Sequence, residues 1–266
     1  MGMNREMLWS MARSRRWAMA RWAVMFAMVP GLVSLSGCGA TKKAFKPSVA
    51  QQKEIGQKAA QEVPKEYKLV SGAPLARVQS VGQKLVNALP AAERQRWNYQ
   101  FSVIESDQIN AFALPGGPIY LFTGLLNRME TNAEVAAVLA HEMAHVYQEH
   151  WAEQVASDQQ RSAGLTVLLG ALDADRGWYT AAGVLNTVVG LKYSRGDEDD
   201  SDEKGLNNMV AAGFNPNGML SLFRTLAEGG GGGSTPEFLR SHPMTNDRIK
   251  RTEDRIAKLR TAQETP

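Results

Sequence analysis

Cysteine and histidine are scarce in this chain of 266 residues, with one of the former, Cys38, and four of the latter, His141, His145, His150 and His242. A lone thiol excludes an internal disulfide framework, so the fold has no covalent staple. Uninterrupted apolar runs of membrane length are missing too. The run from Trp22 to Leu35 is broken by Pro30-Gly31, and the small, apolar stretch 162–192 is interrupted at Asp173-Ala-Asp-Arg-Gly177; a spanning helix needs roughly 20 apolar residues. An excess of charge of one sign is absent from the body of the chain. Five arginines and one glutamate fall in residues 1–37, which leaves 25 basic against 26 acidic residues in 38–266. Without a basic stripe interleaved with aromatics, nucleic-acid binding has no support. No repeat of 20–50 residues is visible, which excludes a solenoid.

The front end has the layout of a targeting segment. A basic stretch ending at Arg21 precedes the apolar run, and Leu35-Ser36-Gly37-Cys38 follows. This resembles the lipobox of bacterial lipoproteins, in which the cysteine becomes the first mature residue and its sulfur carries the lipid. Residues 1–37 are therefore expected to be a lipoprotein signal peptide, and 38–49 a lipid-anchored tether. Gly39, not aspartate, follows Cys38, which points to the outer membrane, facing the periplasm.

Behind the tether, apolar residues recur at helical spacing over 50–63 and 74–89, for example Leu75, Val78, Val81, Leu85 and Leu89. Trp97, Tyr99, Phe101 and Val103 alternate with polar neighbours, as in a half-buried strand. Residues 109–122 read as two strands around Pro115-Gly116-Gly117-Pro118. Thr131 and Glu134 have capping-box spacing, and the helix they open is expected to run to about Ala156. Further helices are expected at 197–212, 216–227 and 243–262, with a flexible loop at Gly229 to Gly233. The fold class is α+β: one domain over 50–266, mainly helical, with a small β-sheet.

The chemistry concentrates in His141-Glu142-Met143-Ala144-His145. Residues four apart share a helix face, so both imidazoles can reach one ion. Zinc takes neutral imidazole nitrogen and favours few, tetrahedral ligands, and Glu142 is placed to accept a proton from water at that ion. Trp151 and Gln148 occupy the places of the third histidine and the glycine of a metzincin, so that class is excluded. His150, nine residues beyond His141 on a continuous helix, would point to about the opposite face, at the helix rim. A glutamate remains as third ligand, and the acidic run Asp197 to Glu203 offers Glu198 and Asp202 on one face. One would ligate while the other orients a histidine ring.

Four blocks together resemble a known family. They are Asn110-Ala-Phe-Ala-Leu-Pro-Gly-Gly117, His141-Glu-Met-Ala-His145, Tyr193-Ser-Arg with Glu198 and Asp202, and Ser241-His242-Pro243 with Arg248 beyond. Their order is that of the HtpX-related, CAAX-prenyl-protease-like gluzincin metalloendopeptidases, especially the soluble periplasmic lipoprotein members. The resemblance implies a zincin-like fold and one Zn²⁺ per chain, with His141, His145 and Glu198 as ligands. It implies Glu142 as general base, Asp202 as the residue that orients a ligand ring, and His242 as stabiliser of the oxyanion. Asn110, Ala111, Phe112, Ala113 and Leu114 correspond to an edge strand that pairs with substrate backbone. Ser201 stands where the family usually has alanine.

The expected function is thus zinc-dependent hydrolysis of peptide bonds in misfolded or misassembled envelope proteins. The partners would be those polypeptides and the membrane, through the lipid on Cys38, with no nucleic acid. The alternative is an envelope lipoprotein that chiefly binds or chaperones outer-membrane proteins, its protease activity latent.

Overall fold

A computed structural model describes residues 46–158, 181–228 and 235–264, all within the unit Lys42–Pro266. Cys38, the signal segment, the glycine run and residues 162–180 lie outside the described residues. Helix α1 (Val49–Glu66) opens on a capping box in which Gln51 N–H donates to the Ser48 hydroxyl and the Gln51 side chain accepts from Ser48 N–H. A short β1 (Leu69–Val70), α2 (Ala73–Ala88) and α3 (Ala91–Arg96) lead to β2 (Gln100–Ile104). Trp97, expected in the strand, caps α3 instead, yet it is buried all the same.

The 109–122 segment forms β3 (Ala111–Ala113) and β4 (Pro118–Phe122), antiparallel around the glycines. Gly116 and Gly117 have φ of 85° and 130°, backbone that a side chain would strain. Strand order is β1-β2-β4-β3, with β2 and β4 parallel and the other pairs antiparallel.

The sheet divides the core by strand periodicity. Phe101, Val103, Ile119, Leu121, Ala111 and Ala113 face one layer, packed with α2 and the central helix. Ile104, Phe112, Tyr120 and Phe122 face the other, packed with α1 and residues around Trp151 and Val184. All five residues of β4 are buried, so this strand reads as a continuous apolar run rather than an alternation.

After α4 (Thr123–Leu126), the central helix α5 (Asn132–Tyr147) begins at the expected box, with Glu134 N–H donating to Thr131 Oγ1 and Thr131 N–H to Glu134 Oε2. Every residue from Glu134 to Val146 is buried. The helix stops at Tyr147, earlier than expected. Glu149 adopts φ 60°, and a separate helical stretch, 150–158, follows the turn. Helices α6 (Ala181–Val189), α7 (Arg195–Ala211), α8 (Asn217–Glu228), α9 (Glu237–Ser241) and α10 (Asn246–Glu264) complete the fold. Among the described residues no helix is long and apolar enough to cross a membrane.

Candidate metal centre

Helix α7 lies along α5 because Gly205 lets it. A Cβ at that position would sit 3.1 Å from Ala140 C and His141 N. Glu198 and Asp202 precede Gly205 on the same face at four- and three-residue steps, so the close approach carries both carboxylates to the histidine face of α5. Ser194 caps α7, accepting from Asp197 N–H.

Four donor groups meet there: His141, His145, Glu198 and His242, their ligand atoms all within 4.8 Å of one another. His141 Nε2 is 3.1 Å from His145 Nε2 and 3.3 Å from His242 Nδ1. Glu198 Oε1 is 2.9 Å from His242 Nδ1 and 3.5 Å from His145 Nε2, and Oε2 is 3.6 Å from His141 Nε2. None of the four residues is more than 3% exposed. Tetrahedral zinc with bonds of about 2.0–2.1 Å has ligand–ligand edges of about 3.3–3.5 Å. Three imidazole nitrogens and a carboxylate converging at such spacings, buried, are a donor set that fits that ion. Glu142 lies beside them, one carboxylate oxygen buried without a hydrogen-bond partner and 3.5 Å from His242 Nε2.

The surroundings set the protonation states. Burial pushes the Glu142 carboxyl up, against the pull of His242 and His141, the direction that suits a group which must take and return a proton. Burial acts the same way on Glu198, but His242 and hydrogen bonds with His145 and His242 outweigh it and hold that carboxyl well below its ordinary value. Asp202 behaves likewise, held down by hydrogen bonds with His141 and Arg248. Burial keeps His145 neutral, the form in which imidazole binds a cation. Asp202 Oδ1 is 3.1 Å from His141 Nδ1, and Arg248 donates from Nε and Nη2 to Asp202 at 2.7 and 2.8 Å.

The profile of peptidase family M48 matches residues 73–256. The chain belongs to family M48. The gluzincin resemblance of the four sequence blocks is borne out at this level, as is the α+β, mainly helical fold. Membership of M48 implies a divalent metal ion, and the buried donor set accommodates one. Among curated relatives, the "Beta-barrel assembly-enhancing protease" of Escherichia coli (strain K12) is 29% identical over 224 residues, 80% of this chain and 45% of that protein. Its namesake in Yersinia pestis is 31% identical over 196 residues, 69% of this chain and 39% of that one. The "Mitochondrial metalloendopeptidase OMA1" of Schizosaccharomyces pombe is 32% identical over 218 residues, 80% and 64% respectively. The chain thus spans less than two thirds of the length of these M48 relatives.

His141, Glu142, His145, Glu198, Asp202 and His242 are brought together. The edge-strand residues are adjacent: Ala111 to Ala113 form β3, which is the sheet's edge, with Asn110 and Leu114 flanking it. All five are buried, and Val188 and Val189 of α6 line a small cavity with Ala111, Phe112, Ala113, Glu142 and His242. His242 Nδ1 is itself one of the four converging donor atoms.

Sequence reasoning missed three residues. Tyr193 stacks on His145 with ring centroids 3.8 Å apart; its only signal was a place in the third block. Arg248 closed the fourth block without an assigned role, and the nearer bases in sequence, Arg195 and Lys204, gave no reason to look further for the partner of Asp202. His150 is buried and in contact with His145, not at the rim. α5 ends at Tyr147, before this residue, so the phase of a continuous helix does not carry to it.

Proposed function

We propose that the chain is a zinc metalloendopeptidase of the bacterial cell envelope, with a signal peptide at 1–37, a tether at 38–49 lipidated on Cys38, and a catalytic domain at 50–266. The observation that carries this reading is the convergence of His141, His145 and Glu198 donor atoms beside Glu142, whose Oε1 is buried without a hydrogen-bond partner. The name of the bacterial relatives, beta-barrel assembly-enhancing protease, favours misfolded or misassembled envelope proteins as substrates.

His141, His145 and Glu198 would hold one Zn²⁺, which when bound supplies Lewis acidity, polarising a carbonyl and acidifying water. Glu142 would take the proton of the attacking water and deliver it to the leaving amine. Asp202, locked by Arg248, orients His141. β3 would pair with the substrate backbone once α6 and its neighbours make room, adding a strand to the sheet edge. The test is Glu142→Gln in the full chain: casein cleavage is lost while about one zinc per chain stays bound. Cleavage at the wild-type rate by that variant would refute the assignment.

A second reading, a latent enzyme that mainly binds envelope proteins, is favoured by the position of His242 Nδ1, 3.3 Å from His141 Nε2 and 2.9 Å from Glu198 Oε1. Kinetics of His242→Ala separate the two. As an oxyanion donor, His242 is worth about 10²–10³ in rate, so its loss slows cleavage. As an occluding ligand, its loss speeds cleavage and leaves substrate affinity unchanged.

A further inference from the structure

The two metal-facing imidazoles of α5 are held from behind by different chemistry. His141 Nδ1 faces a carboxylate, Asp202. His145 Nδ1 faces another imidazole: His150 Nδ1, 2.9 Å away. Residues 145 and 150 would not meet on an unbroken helix, since five steps turn the side chain about 140°. The left-handed backbone at Glu149 (φ 60°) brings them together, and its carboxylate is pinned by Gln52 at 2.7 Å, by Lys46 at 3.5 Å and by Arg96.

Tautomer logic assigns the proton. His145 Nε2 is the atom that faces His141 and Glu198, so to offer a lone pair there His145 must carry its single proton on Nδ1. A neutral imidazole has one donor and one acceptor nitrogen. His150 Nδ1 must then be the acceptor, and its own proton must sit on Nε2. On that side lie two carboxylates of α7, Asp200 Oδ2 at 3.5 Å and Asp197 Oδ1 at 3.9 Å, with Gln148 donating to Asp200. Had the proton been on His150 Nδ1, it could be given to Ser201 Oγ, 3.3 Å away, and His145 would be left with the wrong tautomer. The acids of α7 oppose that outcome.

We propose that His150 is a positioning residue of the metal centre: it accepts the Nδ1 proton of His145, and Asp200 and Asp197 fix its own tautomer, so a carboxylate–imidazole–imidazole chain presents His145 Nε2 to the cation. This rests on His145 being a metal ligand. Partners behind ligating histidines typically contribute about 10–100-fold in metal affinity.

The experiment compares His150→Phe, which keeps the ring volume and has no acceptor, with His150→Asn, whose side-chain oxygen can replace Nδ1. Zinc dissociation constants come from chelator competition on the purified full chain, alongside circular dichroism and ¹⁵N-histidine NMR of the metal-free protein. The expected result is a Kd about 10–100-fold higher for the Phe variant, recovery to within a few-fold in the Asn variant, and loss of the Nδ1–H tautomer of His145 in the Phe variant alone. Wild-type affinity in a folded Phe variant overturns the proposal, as does equal loss in both folded variants. Should His150→Phe not fold, the double variant Asp197→Ala with Asp200→Ala takes its place, with the same tautomer signal as readout. A wild-type chain that binds no zinc sinks the ligand assignment itself, a different failure.

Discussion

Asp202 and Glu198 are buried carboxylates answered by one guanidinium. Arg248 donates twice to Asp202, lies 2.6 Å from Glu198 Oε2, and gives Nη1 to Pro243 O at 3.0 Å. Its planar fork serves three acceptors at fixed angles, which a lysine ammonium cannot do. Removing one partner of a buried pair leaves an uncompensated charge and costs about 3–5 kcal/mol. Arg248→Ala is therefore expected to lower unfolding free energy by that amount in urea with metal chelated, and Arg248→Lys to recover only part. A loss below about 1 kcal/mol would mean that the acids find other partners. At this scale the sequence was informative where partners are near in the chain. His141, Glu142 and His145 share one turn of helix and could be read by spacing alone. Glu198 and Asp202 could be placed on one face, but not ranked without the family resemblance. Arg248 lies 46 residues from Asp202, and no local pattern encodes that distance.

Elements tell a similar story one level up. The capping box at Thr131 and Glu134 and the Pro-Gly-Gly-Pro turn were legible because the side chains that make them are local. The end of α5 was not. Gln148 and Glu149 are no helix breakers, and the left-handed turn is imposed by Lys46, Gln52 and Arg96 from distant segments. Gly205 shows the converse, a residue that weakens its own helix by roughly 1 kcal/mol relative to alanine yet fixes how two helices meet. With α5 backbone 3.1 Å from where its Cβ would be, a branched side chain has no room. Gly205→Val should push α7 off α5 and withdraw Glu198 from the histidine pair. The expected outcome is a zinc Kd raised by an order of magnitude or more, with helical content retained. Unchanged affinity would show that the helix contact tolerates the shift.

For the whole molecule, sequence alternation foretold the burial of Phe101 and Val103 but not how the strands are ordered. The parallel pairing of β2 with β4 puts β3 at a sheet edge, where Ala111, Phe112 and Ala113 share a small cavity with Glu142 and His242. The family match begins at residue 73, well after Cys38, so anchoring and catalysis are expected to separate cleanly. In a Gram-negative host the full chain should take up labelled palmitate and fractionate with the outer membrane. Cys38→Ala should abolish the label and release the chain from membranes, while zinc content and casein cleavage of the purified protein stay at the wild-type level. The reason is physical: acyl chains on Cys38 would contribute about 0.8 kcal/mol per buried CH₂ to membrane attachment, whereas His141, His145, Glu198 and His242 all lie within the family-matched residues 73–256. Palmitate incorporated by the Cys38→Ala variant, or membrane retention without the label, would remove the lipid from the account and leave the peptidase centre as it stands.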